Sequence, residues 1–200
     1  MKRKFGMVLM VLGVMLLAGA MGLFLWNQQE DKAADTASQE AIVKVVEVIR
    51  EHQIAPTVPV ELLPEPMRQM TVADIDGHSY IGFISFPTLG LELPVMADWS
   101  DAQLKIAPCR YSGSIFTDDL VLMAHNYKKH FGPIRRLKAG DAVIFTDMDG
   151  EIYEYRVIAQ EVLGPQAVED MTAGDYDLTL FTCTYGGENR ITVRCDRTEE

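Results

Sequence analysis

The usual signatures of bound metal are missing from this 200-residue chain. It has no CxxC pair and no HExxH helix, and His52, His78, His125 and His130 are too scattered for a ligand cluster, which argues against a structural zinc site. Glu169, Asp170, Asp175 and Asp177 read as a solvated acidic loop rather than a calcium site, so no cofactor is expected. Basic residues are also scarce. Lys and Arg number 18 against 29 Asp and Glu, for a formal charge of -11, and three of the 18 are Lys2, Arg3 and Lys4. The folded part is therefore a poor general partner for nucleic acid or an anionic membrane surface. Cysteine occurs only three times, an odd number. With Cys183 set apart below, Cys109 and Cys195 are either two buried small hydrophobes or one disulfide. No repeat is visible, and the length suits one domain with a core plus an appendage.

The longest feature present is apolar. After the basic Met1–Lys4 flank, residues 5–26 carry no charge and end on Trp26. At about 1.5 Å per residue, such a helix covers the roughly 30 Å hydrocarbon core of a bilayer. The basic flank predicts a cytoplasmic N-terminus and a chain that continues outside the cell membrane. Ala18, Gly19 and Ala20 resemble a cleavage site, but the apolar run is longer than a usual signal sequence, so an uncleaved anchor is expected. Asn27–Gln39 is polar and reads as a stalk. Ile42, Val45, Val46 and Ile49 have helical spacing, giving a short amphipathic helix over Ala41–Arg50. Pro56, Pro59, Pro64 and Pro66 then mark an extended linker, which places the start of the compact domain near Met70 and gives a domain of residues 70–200.

Short strand patterns follow. Tyr80–Phe86, Leu91–Val95 with Pro94 inside it, Leu104–Tyr111, Leu120–Ala124, Asp141–Thr146 and Glu151–Val157 read as extended segments, and Ile158–Leu163 prolongs the last. The Asp147, Met148, Asp149, Gly150 run is a hairpin turn signal. Seven or eight strands with short helices predict an all-β fold, a barrel of mixed strand direction.

The richest stretch is DLTLFTCTYGGENRITVR, residues 177–194. Leu178–Cys183 reads as a strand buried on both faces, Tyr185–Asn189 as a turn, and Arg190–Arg194 as a returning strand with both arginines on one face. A thiol on one arm and a guanidinium on the other suit nucleophilic chemistry, since a cation favours thiolate and offers a fixed donor to an oxyanion. His125, at the exit of the Leu120–Ala124 strand, supplies the missing proton donor.

These residues resemble a known family. TLFTC with an arginine on the next strand, preceded by VLMAHN, is similar to the sortases, membrane-anchored cysteine transpeptidases; IGFISFPTLGLELPV and YSGS look like the family's opening strands and its approach to the histidine. The resemblance covers roughly Tyr80–Arg194. It implies a sortase-like barrel with Cys183 as nucleophile, His125 as general acid and base, and Arg190 as the residue that steadies oxyanion and substrate, with Arg194 as the fallback. It implies as partners an LPxTG-like sorting-signal peptide of surface proteins or pilins, and an amine acceptor such as a peptidoglycan precursor or a pilin lysine. Ala124 stands where many members have glycine, and the turn from Cys183 to Arg190 is short. No second apolar span follows, so the pilus-polymerising type with a C-terminal membrane helix is not the expected class. A free thiol titrates near 8.5 and a free imidazole near 6.5, so a thiolate–imidazolium pair implies bell-shaped activity in pH. The rival readings are a hydrolase acting on the same peptides and a membrane-tethered β-barrel that binds without catalysis.

Overall fold

A computed structural model describes residues 2–54, 68–173 and 175–198. The proline-bearing segment read as a linker falls largely outside the described residues. The chain divides into two units, Met1–Ala33 and Ala34–Glu200.

The first unit is helical, as part of α1 (Lys2–Ile54), a helix that no proline interrupts. Its apolar side chains from Met10 to Trp26 are exposed, and by length and composition alone this helix is able to cross a membrane.

The second unit begins inside the same helix. Asn27–Gln39, expected as a stalk, is helical instead, because Ala, Gln, Glu and Lys are sound helix formers and no breaker occurs before Pro56. Ala34, Ser38, Ala41, Ile42, Val45 and Ile49 are buried at spacings of three and four, one face of a helix. Small residues at the head of this stripe allow close approach. Ala41, Val45 and Ile49 pack on Tyr80, Met96, Leu104, Ala107, Cys109 and Met148. Lys44 pairs with Asp76, and Gln53 Nε2 donates to the Gly150 carbonyl at 3.2 Å. The compact unit thus starts at Ala34 rather than near Met70.

Nine strands follow. They are β1 (Ala73–Ile75), β2 (His78–Phe86), β3 (Leu91–Met96), β4 (Cys109–Ser112), β5 (Leu120–Met123), β6 (Ala142–Asp147), β7 (Ile152–Leu163), β8 (Leu178–Cys183) and β9 (Arg190–Arg197). Their order is β1-β2-β3-β4-β5-β8-β9-β7-β6, and β6 pairs back onto β2. Eight strands therefore close into a barrel and β1 sits outside the ring. Closure occurs where Gly82 lies opposite Asp147; a Cβ on Gly82 would sit 2.0 Å from the Thr146 carbonyl oxygen. Only glycine permits that approach. Most contacts are antiparallel, but β3–β4 and β5–β8 run parallel.

The barrel interior holds Ile81, Ile84, Phe86, Leu93, Phe145, Tyr155, Leu178, Leu180 and Val193, all fully buried. The β6–β2 pairing closes the ring, and β2, β3 and β5 to β9 each send side chains from one face into this core. One expected extended segment differs. Asp101–Leu104 forms a short helix, α2, with the Gln103 amide donating to Ser100 Oγ at 3.2 Å. The strand begins only at Cys109, since a capping serine starts the helix and Pro108 delays the ladder. Cys109 and Cys195 are free and lie in separate packed clusters. They are buried small hydrophobes, and burial pushes the Cys109 thiol up to about 12.

At the β6–β7 turn, Asp147 Oδ1 accepts from the Asp149 and Glu151 amides at 3.0 and 2.9 Å. Burial dominates these bonds and pushes its carboxyl up to about 6.

Candidate active site

The parallel β5–β8 pair sets the geometry. Met123 lies opposite Phe181, and both chains continue side by side past their strand ends. The Ala124 amide donates to the Phe181 carbonyl at 3.3 Å, Thr182 Oγ1 donates to the Ala124 carbonyl at 2.8 Å, and Asn126 Nδ2 donates to the Thr184 carbonyl at 3.2 Å. His125 is held between two of these ties, at the level of Cys183. Ala124 fits at this point without a glycine.

On the other side, β8 runs antiparallel to β9, and Cys183 is the direct partner of Arg190. Directly opposed residues project from the same face, with Cβ atoms about 5 Å apart. The face is the outer one, because the alternate residues Leu178 and Leu180 fill the interior. The turn Thr184–Asn189 is compact: Thr184 N donates to Asn189 O at 2.9 Å, and Arg190 Nη1 donates to the Gly187 and Asn189 carbonyls at 3.1 and 3.2 Å. His125, Cys183 and Arg190 thus share one rim of the barrel. Cys183 is partly exposed, unlike the other two cysteines.

Arg194 has a different task. It is 3% exposed, its Nε donates to Glu161 Oε1 at 2.7 Å, and its Nη1 donates to Thr179 Oγ1 at 3.0 Å and the Met171 carbonyl at 3.3 Å. Its Nη2 donates to the Asp170 carbonyl at 2.5 Å. These bonds tie β9 to β7, β8 and the α3 segment (Val168–Met171), and they leave the guanidinium spoken for.

An apolar track runs along the same outer face. Val121, Met171 and Phe181 are buried together, flanked by Tyr111, Met123 and Leu163. Tyr111 meets Phe181 edge-on at 5.4 Å, and the half-exposed Trp99 stacks on Tyr111 at 6.0 Å. Among the described residues no group of three or more His, Cys, Asp or Glu is placed to hold a metal ion.

The loop after His125 was legible only in part. Tyr127 lies between His125 and His130, with ring centroids 4.9 and 5.4 Å away. The Phe131 amide donates to the His125 carbonyl at 3.2 Å, and Gly132 packs so tightly that a Cβ would meet the Asn126 and Tyr127 oxygens at 2.5 Å. Asn126 closes the VLMAHN motif, but its tie to Thr184 is not readable from the sequence, because the two are 58 positions apart. His130 is fully buried. Burial pushes its imidazole down to about 4; the Ala34 and Ile106 backbone and Asp35 act against this, while the His125 charge acts with it.

His130 and Asp147 oppose each other in acid. His130, lowered from 6.5 to about 4, contributes stability above pH 6.5 that is lost as pH falls through 4. Asp147, raised from 3.8 to about 6, contributes stability below pH 3.8 that is lost as pH rises through 6. Each effect is of the order of 2–3 kcal/mol. Asp147→Asn is therefore expected to steepen the fall of Tm between pH 6.5 and 4, and His130→Asn to flatten or invert it, in thermal melts followed by circular dichroism. Parallel Tm–pH curves for both variants and the parent would rule this out.

Three comparisons bear on this arrangement. A family model described as a sortase domain matches residues 84–198. The chain is 30% identical over 131 residues to Sortase A of Bacillus anthracis, covering 62% of this chain and 61% of that protein, so it spans about three fifths of that relative's length. The fold is similar to a Sortase D5 transpeptidase of Clostridium perfringens, at TM-score 0.61 and 15% identity over 82% of this chain and 99% of the other. It is also similar to Clostridium perfringens sortase C with the C-terminal cell wall sorting motif, at TM-score 0.55 and 23% identity over 80% and 91% of the two chains.

Proposed function

The chain belongs to the sortase family, whose members are transpeptidases acting on sorting-motif peptides, and on that premise we propose that it is a membrane-anchored cysteine transpeptidase using Cys183, His125 and Arg190. The observation that carries this reading is the direct cross-strand pairing of Cys183 with Arg190, alongside a parallel β5–β8 register that delivers His125 to the same level. The peptide, of LPxTG-like type, lies along the apolar track beside β8. The Cys183 thiolate attacks the carbonyl of the scissile bond, and the Arg190 guanidinium faces the oxyanion that develops. His125, as imidazolium, protonates the departing amine, and the acyl group stays on sulfur as a thioester. An amine of a cell-wall precursor or a pilin then resolves it.

Residues 5–26 anchor the enzyme with its N-terminus in the cytoplasm and the catalytic unit outside the cell membrane. Neither a metal nor an organic cofactor takes part in these steps. The test is intact-protein mass spectrometry of the full chain mixed with an LPxTG-type peptide. The expected result is an adduct equal to the acyl fragment, on the Cys183-bearing proteolytic peptide, that disappears when an amine is added and reappears as ligated product. A mass unchanged under conditions where the peptide is cleaved would exclude covalent catalysis.

A further inference from the structure

The connection after β5 holds two histidines, and the steps above use only His125. The other, His130, is fully buried. The backbone of Ala34 and of Ile106 approaches its ring, yet among the described residues neither ring nitrogen completes a hydrogen bond of normal geometry. A buried polar side chain left this way is uncommon in a folded protein, so its use has to lie in something other than hydrogen bonding. Burial pushes this imidazole down to about 4, and near neutral pH it therefore offers His125 bulk without a second positive charge.

Tyr127 stands between the two imidazoles. Its ring centroid lies 4.9 Å from that of His125, with the planes tilted by 42°, and 5.4 Å from that of His130, tilted by 60°. Both separations are those of aromatic pairs in contact. The backbone assembles the stack, because the His130 and Gly132 amides donate to the Tyr127 carbonyl at 3.1 and 3.0 Å and fold the chain back on itself. The next residue, Phe131, meets Phe86 edge-on at 5.8 Å inside the barrel, so the stack is fastened to the core. None of these backbone bonds needs the rings. The ties already described, from Thr182 to the Ala124 carbonyl and from Asn126 to the Thr184 carbonyl, fix the chain on either side of His125 without touching its imidazole. The aim of that ring is left to ring packing.

We infer that Tyr127 and His130 are positioning residues for the general acid: the buried His130 ring backs the Tyr127 ring, and the Tyr127 ring holds the His125 imidazole on the line to the leaving amine. The inference rests on the thioester reading above. In that step the carbon–sulfur bond forms, the carbon–nitrogen bond breaks, and the departing nitrogen takes its proton from the His125 imidazolium, which is left as neutral imidazole. An acid displaced by about 1 Å from that line loses as much as about 10²-fold in rate. The charged groups that bear on His130 are Asp35 of α1 and His125 itself, and a neutral ring at this position spares the imidazolium a like charge behind the stack.

The experiment offers the full chain, in detergent micelles, two acyl donors of one LPxTG-type sequence: the peptide with its scissile amide, and the matching phenyl thioester, whose leaving thiolate needs no proton. For Tyr127→Ala and His130→Ala, kcat for acylation by the amide is expected to fall about 10- to 100-fold with KM within about twofold, while acylation by the thioester falls less than about threefold. Tyr127→Phe and His130→Phe keep a ring and should return most of the amide rate. An equal loss on both donors, an unchanged amide rate, or a loss that phenylalanine does not restore would overturn the proposal. His130→Ala opens a cavity in the packing; Tyr127 is only half-buried, so Tyr127→Ala decides the matter if the other variant does not fold. If the parent chain forms no thioester from the amide, the transpeptidase reading fails, and carbon-13 relaxation of the labelled His125 ring judges the stack by itself. A ring that is ordered in the parent and in Tyr127→Phe but mobile on the nanosecond scale in Tyr127→Ala keeps the positioning role, and equal order in all three removes it.

Discussion

Cys183→Ala is expected to abolish the thioester and to lower transpeptidation by roughly 10⁴-fold or more, as deletion of a nucleophile does in other covalent enzymes. No neighbour can take its place. Thr182 Oγ1 is committed to the Ala124 carbonyl, and Thr184 Oγ1 accepts from the Asn189 amide at 3.2 Å. Cys109 and Cys195 are sealed in the core, where burial raises both thiols far from the thiolate form. The fold should barely notice, since a partly exposed strand-end residue of small volume is removed and Tm should move by only a few degrees. The measurement is product formation from a sorting peptide and an amine by mass spectrometry, with a melt on the same sample. Retention of more than a tenth of the parent rate in a folded variant would overturn the assignment of Cys183.

Two arginines four residues apart should separate cleanly. Arg190→Ala is expected to lower the rate of thioester formation by about 10²- to 10³-fold, the usual cost of losing one oxyanion donor, with Tm little changed. Among the described residues its guanidinium donates to the Gly187 and Asn189 carbonyls of its own turn. Arg194→Ala should instead destabilise the unit by roughly 3 kcal/mol, because it strands Thr179 Oγ1 and the Met171 carbonyl inside the packing and removes the bond to the Asp170 carbonyl at its margin. Stopped-flow acylation rates and denaturant melts on both variants check this. A slow but stable Arg194→Ala beside a fast Arg190→Ala would exchange the two roles.

How far the primary structure leads is visible at these same positions. Period-two alternation places β8 and β9 and puts both arginines on one face, but burial decides which is tied down, and burial comes from the α3 segment, which lies 19 or more positions before Arg190. The strand-end positions of His125 and Cys183 were readable because apolar runs stop there. The parallel register that levels them was not, since it joins residues 58 apart. The short β1 was missed because three residues carry almost no period. The continuous α1 was underestimated because Asn27–Gln39 is polar enough to resemble a stalk, while its small buried residues, Ala34 and Ser38, give little hydrophobic signal.

The stripe on α1 from Ala34 to Ile49 also bears on how the barrel unit is best handled in isolation. A fragment started at the prolines would strip this cover from Tyr80, Met96, Leu104 and Met148 and leave bare apolar wall. Such surfaces drive self-association and precipitation in water. A fragment for work in water is better begun at Ala34, which leaves out the exposed apolar side chains of the first unit while the barrel keeps its own outer layer.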